Sequence, residues 1–279
     1  MSTPPTMNII GCGKLGMTLG RLWTTHQVFA IQAIMNRSQA STEKAIAFMQ
    51  AGVAASDIRN MPPADAWLIA TPDDDIASSC DALAASGKLK QGDIVFHCSG
   101  ALPSSILAAA TRAGAAISSV HPIRSFADPA QVAASFGGTF CGIEGDAEAL
   151  NVLQAAFGAI GARTIPIDAN FKTLYHAAAV FASNYLVTVL DVAVQAYVKA
   201  GIPEEAALQL MEPLVRGTVD NVFRLGTTKA LTGPIARGDI ATAVKQYRAV
   251  NTWDERHGVL YKQLGKLTSD IAARRRQKT

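Results

Sequence analysis

The sequence is poor in cysteine, aromatics and charge, and each shortage narrows what the chain can be. Its four cysteines, Cys12, Cys80, Cys98 and Cys141, form no CxxC pair and no metal-ligand spacing. That argues against a disulfide framework and a structural metal site, and leaves reduced thiols and no bound metal as the expectation. Aromatic residues make up 6% of the chain and the net charge is only +3. A nucleic-acid surface would need a larger basic face with interleaved aromatics, so no such partner is expected. Much of the positive excess sits in Arg274, Arg275, Arg276 and Lys278, which read as a frayed, solvated helix end. The opening MSTPPT has no basic segment followed by an apolar run. No secretory leader is therefore expected, and a cytoplasmic location is. The most apolar long stretch, Leu174 to Val198, is interrupted by His176, Asn184, Asp191 and Gln195. It reads as a buried helix rather than a membrane span.

Apolar residues are plentiful, at 49%, enough for a large core. Up to about residue 167, short β-like runs alternate with helical patterns. The runs are Met7–Gly11, Phe29–Met35, Ala66–Thr71, Asp93–His97, Ile117–His121, Thr139–Ile143 and Arg163–Ile167. Between them lie helix-like segments such as Lys14–Thr24, Glu43–Gln50, Ile76–Ser86 and Leu102–Ala113. This alternation predicts a doubly wound, mostly parallel sheet, and the lack of polar alternation suits strands buried on both faces. After Asp168 no strand is expected. One long helix should run from Asn170 to Ala200, where Gly201 and Pro203 stop it. Others fit Glu204–Leu225, Asp239–Val250 and Thr252–Ala273. The expected architecture is α/β: a Rossmann-type sheet over residues 1–167, then an all-helical domain over 168–279.

The run Asn8-Ile9-Ile10-Gly11-Cys12-Gly13-Lys14-Leu15-Gly16 places G-x-G-x-x-G between a strand and a helix. Gly11 permits the tight turn, Gly13 lets backbone approach a pyrophosphate, and Gly16 lets the helix pack close to the strand. The helix N-terminus then faces the phosphates. The context predicts a bound dinucleotide, with Cys12 a small spacer and Lys14 and Leu15 part of the loop. The second strand ends Met35-Asn36-Arg37-Ser38, without the acid that would accept from an unphosphorylated ribose. Arg37 can pair with a 2′-phosphate, and Asn36 and Ser38 add neutral donors. NADP(H) is therefore expected over NAD(H).

Two further strand ends point to the same crevice: Ala70-Thr71-Pro72-Asp73-Asp74-Asp75 and His97-Cys98-Ser99-Gly100-Ala101. Thr71, Pro72, Ser99 and Gly100 are candidates to touch the cofactor. Asp73 to Asp75 read as helix N-caps, a role also open to Ser99.

Lys172, Tyr175, His176, Ser183 and Asn184 share the long helical segment. At 3.6 residues per turn, Ser183 lies roughly 20° and His176 roughly 40° from Lys172. They form one polar stripe, which needs either buried partners or a ligand. His121 ends another strand, in Val120-His121-Pro122, and reads either as a site residue or as a histidine bonded to backbone. Arg237 lies in the turn Thr232-Gly233-Pro234-Ile235-Ala236-Arg237-Gly238-Asp239. It is a candidate for an anionic substrate, with Asp239 a helix cap.

With the segments Tyr175–Asn184 (YHAAAVFASN) and Ala230–Asp239 (ALTGPIARGD) added to the glycine loop, nearly the whole chain resembles one family. It pairs an NADP-binding Rossmann-like domain with a helical C-terminal domain. That family is similar to 6-phosphogluconate and β-hydroxyacid dehydrogenases, ketopantoate reductase, pyrroline-5-carboxylate reductase and prephenate dehydrogenase. The resemblance implies a 6-phosphogluconate dehydrogenase-like C-terminal domain, an oxidoreductase fold and a homodimer built by the helices. The β-hydroxyacid dehydrogenases line their substrate site with a Lys and an Asn four residues later. That spacing falls here on Lys172 and His176, so His replaces Asn. The expected function is NADP(H)-dependent oxidoreduction of a small carbonyl, imine or hydroxy acid in a cleft between the domains. Lys172 or His176 would be the general acid/base, Ser183 and Asn184 would orient the substrate, and Arg237 would bind a carboxylate. The alternative is a non-catalytic NADP(H)-binding sensor or partner-docking protein.

Overall fold

A computed structural model of the chain describes residues 3–277. Eight strands form one sheet: β1 (Thr6–Ile10), β2 (Ala30–Met35), β3 (Val53–Ala54), β4 (Ala66–Ile69), β5 (Ile94–His97), β6 (Ala116–Pro122), β7 (Phe140–Gly145) and β8 (Arg163–Pro166). Their order is β3-β2-β1-β4-β5-β6-β7-β8. Every pairing is parallel except β6 with β7, which is antiparallel and sets Ser119 opposite Glu144 and His121 opposite Gly142. Helices α1 (Lys14–Thr25), α2 (Gln39–Met49), α3 (Asp73–Ala85), α4 (Ala108–Arg112), α5 (Pro129–Ala134) and α6 (Ala147–Ala159) cover the two faces.

Both faces of the central strands are apolar, so successive residues feed two cores. Ile9, Leu68 and Phe96 join one core, where Trp23 meets Phe29 and Phe157 edge-on with ring centroids 5.4 and 5.3 Å apart. Ile10, Trp67, Ile69 and Val95 join the other. The polar exception in β1 is Asn8, fully buried; its side chain donates to Pro62 O at 2.7 Å and accepts from Ala33 N at 3.0 Å. The amide satisfies itself on loop and strand backbone, which is what makes a buried polar residue tolerable there.

The chain divides into two compact units between Val180 and Phe181. The first holds the sheet and most of α7 (Lys172–Ala182). The second comprises α8 (Asn184–Lys199), α9 (Glu204–Leu225), α10 (Thr227–Ala230), α11 (Pro234–Arg237), α12 (Ile240–Trp253) and α13 (Glu255–Gln277). Within it α9 packs on α8, and α13 packs on α10, α11 and α12.

Three sequence expectations change. The long helix is interrupted at Ser183, whose φ of −124° and ψ of −69° are not helical, so a continuous wheel projection holds only as far as Ala182. The helix is also not buried. Leu174, Phe181 and Val187 are 67%, 68% and 68% exposed, because nothing among the described residues covers their side of it. The stretch Ala169–Lys199 is the one segment among the described residues long and apolar enough to cross a membrane by length and composition alone. Finally, Arg274, Arg275 and Arg276 continue α13 rather than fray, with Arg275 Nη1 donating to Leu231 O at 3.2 Å. Met1 and Ser2 of the opening MSTPPT, and Lys278 of the basic tail, lie outside the described residues.

Candidate functional site

The glycine loop leaves β1 at the carboxyl edge of the sheet. Gly11 has φ +78°, and a Cβ there would lie 2.5 Å from Thr71 Cγ2 and 2.7 Å from Thr71 N. Only glycine meets both conditions. Gly13 caps α1, and the space beside it is open. Gly16 packs close to Cys12 Sγ and Ala70. Cys12 is buried, and burial pushes its thiol up to about 12, which keeps it an inert spacer. A cavity of about 860 Å³ opens in front of the loop, lined by Gly11, Gly13, Lys14, Arg37, Ser41 and Thr71 among others.

The residues lining this cavity are of the kind that hold a nicotinamide dinucleotide. Its features are free amides at the N-terminus of a twelve-residue helix, a guanidinium at the N-terminus of α2, and the buried Thr71 Oγ1 without a hydrogen-bond partner among the described residues. Helix N-termini attract anions through their unpaired N–H groups. Several residues act differently from expectation. The Asn36 side chain lines the cavity, yet its Oδ1 accepts from Cys12 N and its Nδ2 donates to Cys12 O at 3.4 Å. It clamps the glycine loop. Ser38 caps α2, accepting from Ser41 N at 3.3 Å. Asp73, Asp74 and Asp75 occupy the first turn of α3 without capping it; Pro72 holds the cap position. Ser99 Oγ donates to Asp73 Oδ2 at 2.8 Å and accepts from Ala101 N and Leu102 N at 3.1 and 3.0 Å, so its hydroxyl is fully used.

A second cluster stands at the carboxyl ends of β5 and β6. The His121 and His176 rings meet edge to face, with centroids 5.6 Å apart, over Gly100. A Cβ on Gly100 would come within 2.3 Å of His176 Nδ1 and 2.8 Å of His121 Nε2. The absent side chain is what lets both rings converge. Ser99 and Gly100 thus build this cluster, and the cavity in front of the glycine loop is lined by other residues. His121 Nδ1 lies 3.0 Å from the Tyr175 hydroxyl. Burial, then the neighbouring His176 and Lys172, lowers the His121 imidazole to about 4, so it is neutral at pH 7. Burial raises the Tyr175 phenol to about 12, with the Gly142 N–H pulling the other way. His176 Nδ1 is buried and has no hydrogen-bond partner among the described residues.

Lys172, the first residue of α7, is 1% exposed. Its ammonium lies 3.1 Å from Glu144 Oε1 and contacts Ser119 Oγ. Glu144 also accepts from Ser104 N and Ser104 Oγ at 2.7 and 2.6 Å. Burial pulls the ammonium below its ordinary value and Glu144 opposes the shift. The sequence reading missed Glu144, although a lone acid in the strand FCGIEG is a signal of a buried partner. It also gave Tyr175 no separate role. Ser183, Asn184 and Arg237 belong to the second unit. Ser183 Oγ donates to Asn184 Oδ1 at 2.9 Å, and Arg237 is an exposed residue next to Asp239, which caps α12 through Thr242 N at 3.0 Å.

Residues 4–122 match the family model of a Rossmann-like domain, and residues 139–268 match that of a domain of unknown function (DUF2520). The chain joins a Rossmann-like domain to a DUF2520 domain. The imidazole pair draws His121 from the Rossmann-like segment and His176 from the DUF2520 segment. Among solved structures, protein TM1727 from Thermotoga maritima is 26% identical, covering 97% of this chain and 99% of that one, with a TM-score of 0.75. A candidate NADP oxidoreductase, BF3122 from Bacteroides fragilis, is 20% identical over 96% and 99% of the two chains, with a TM-score of 0.76. An imine reductase from Myxococcus stipitatus in complex with NADP+ is 14% identical over 98% and 95%, with a TM-score of 0.64. No curated protein matches the sequence.

Proposed function

We propose that the chain is an NADP(H)-dependent oxidoreductase acting on a small carbonyl, imine or hydroxy acid. The observation that carries this reading is the sequence of strand ends along one sheet edge. Arg37 follows β2, the glycine loop follows β1, Thr71 and Pro72 follow β4, Gly100 follows β5 and His121 ends in β6. With neighbouring strands about 4.8 Å apart, the guanidinium and the imidazole pair are three to four strands, roughly 14–19 Å, apart along that edge. Dinucleotides lie across such an edge.

In this reading the amides of Gly13 and the first turn of α1 hold the pyrophosphate, and Arg37 with the N-terminus of α2 holds the 2′-phosphate. The nicotinamide, when bound, supplies or accepts the hydride. His121 and His176 hold and move the proton at the substrate, and Tyr175 orients His121. Lys172 is committed to Glu144 and anchors the start of α7, so the acid/base role falls to the imidazoles. The NADP-named relatives support the cofactor choice as proteins of the same fold.

The test is a side-by-side titration of the protein with NADPH and NADH, followed by a carbonyl and imine screen reading NADPH oxidation. Tight NADPH and turnover that His176→Ala removes support the reading; no binding of either cofactor ends it. We also propose a homodimer in which a second copy covers the apolar side chains of the second unit, such as Val187 and Phe223, the latter 86% exposed. A monomer by sedimentation at micromolar concentration would remove that part.

A further inference from the structure

We propose that His97 is the positioning residue of the imidazole pair: held in the single tautomer that carries its proton on Nε2, it closes the loop after β5 so that Gly100 lies beneath the rings of His121 and His176. For the pair's use as acid and base this rests on the oxidoreductase reading; for the place of the loop it rests on hydrogen-bond geometry. His97 is fully buried at the end of β5, and its ring spans residues 98–103. Nδ1 accepts from Ser99 N at 3.1 Å, and Nε2 lies 3.2 Å from Pro103 O. A backbone N–H can only donate and a carbonyl oxygen can only accept. Both bonds are made together only by a neutral ring with its one hydrogen on Nε2. The other tautomer sets Nδ1–H against the Ser99 N–H and turns a lone pair toward Pro103 O. The imidazolium keeps the second bond and loses the first. Burial, then the Lys172 charge, lowers the imidazole to about 4, so the ring is neutral at pH 7.

The rest of the loop is tied in the same way, by side chains bonded to its backbone. Ser99 Oγ accepts from Ala101 N and Leu102 N while donating to Asp73. Ser119, in register with His97 on the neighbouring strand, donates its hydroxyl to Ser99 O at 3.4 Å. Ser104, just past the loop, gives its N–H and hydroxyl to Glu144. Gly100 sits between these fixed points, and the space above it has no slack. A single added carbon there would already collide with His176 Nδ1 and His121 Nε2. A small shift of the loop therefore either pushes the rings apart or withdraws the surface they stand on. His97 bonds to the loop at both ends, at Ser99 and at Pro103, so its ring sets the distance between them. A histidine that served stability alone would cost folding energy when removed and leave the two rings where they are.

The test reads the ring signals of the full chain labelled in histidine, of which it has five. Spectra of His121→Gln and His176→Gln supply the assignments. In the parent at pH 7.5 the ring nitrogens of His97 are expected to show the Nε2–H tautomer. His97→Leu removes both bonds and is expected to displace the ring signals of His121 and His176 together. His97→Asn keeps an acceptor where Nδ1 stands and His97→Gln keeps a donor where Nε2 stands, so each should displace the rings less than His97→Leu. Leu153→Ala opens a cavity at a fully buried position of α6 and controls for lost stability; it should leave both rings in place. An Nδ1–H tautomer in the parent overturns the proposal. So do unmoved rings in His97→Leu, or an equal displacement in Leu153→Ala. If His97→Leu does not fold, unmoved rings in both the Asn and the Gln variants overturn it instead. NADPH affinity is read separately by cofactor fluorescence. If NADPH fails to bind the parent while the His97 variants move the rings, the oxidoreductase reading falls and the role of His97 stands. If NADPH binds and the rings stay in place, the oxidoreductase reading stands and the role of His97 falls.

Discussion

The Lys172 ammonium and the Glu144 carboxylate lie 3.1 Å apart with both side chains buried, tying the first turn of α7 to the antiparallel strand β7. Breaking such a pair leaves one charge stranded, at a cost of about 3–5 kcal/mol, whereas replacing both partners with apolar residues is often neutral. Lys172→Met alone should therefore lower the urea midpoint sharply. Lys172→Met with Glu144→Leu should recover much of the loss. If the double variant regains stability and NADPH-dependent turnover together, Lys172 anchors the helix; recovery of stability without turnover would return the acid/base role to Lys172.

Two histidines, His97 buried and His121 half-buried, make the fold acid-sensitive. His97 and His121 are each lowered from 6.5 to about 4, His97 by burial and then Lys172, His121 by burial and then His176 and Lys172. Between these values the unfolded chain takes up protons that the folded chain refuses, so stability is full above pH 6.5 and falls as pH drops through 4. Each histidine contributes on the order of 2–3 kcal/mol over that window. Urea unfolding at pH 7.5, 6 and 5 measures the slope, and His121→Gln should flatten it. An unchanged midpoint from pH 7.5 to 5 would contradict the assignment.

Arg37→Asp should weaken NADPH binding by roughly 10- to 100-fold, the scale of one charge-assisted hydrogen bond, and leave NADH within about threefold. Calorimetry with both cofactors gives the ratio. An unchanged ratio would detach Arg37 from the 2′-phosphate.

Gly100→Ala should push His121 and His176 apart, because the new methyl would occupy the place of their ring nitrogens. Overpacking of this kind costs about 1–3 kcal/mol. The expected signature is displaced ring signals of both histidines with NADPH affinity within about threefold of the parent. A large loss of NADPH affinity with unmoved rings would place Gly100 at the cofactor instead.

The alternation of apolar runs revealed the parallel sheet because strands buried on both faces cannot hide their composition, and the glycine loop announced its strand, turn and helix in nine residues. Glu204–Leu225 was legible to the residue, bounded by Pro203 and Gly226. The two-residue β3 was not, since Val53–Ala54 carries too little pattern to register. Spacing along one helix grouped Lys172 with His176, but it could not tell that one side chain is sealed onto Glu144 and the other left over Gly100. That difference is made by Glu144, His121 and Gly100, which are 28, 55 and 76 positions away from the helix residues they meet. Likewise Ser183 reads as a helix-interior residue, and nothing local announces that the backbone breaks there.

The Asn36 clamp on Cys12 bears on any attempt to re-engineer cofactor choice. The customary route to NADH acceptance puts an acid at the end of the second strand. At position 36 an aspartate would keep the acceptor for Cys12 N and lose the donor to Cys12 O, setting a carboxylate against a carbonyl in the loop proposed to cradle the pyrophosphate. A swap of preference would thus weaken the grip on either cofactor. In this chain the exchange has to be made at Arg37 and Ser38, with Asn36 left in place.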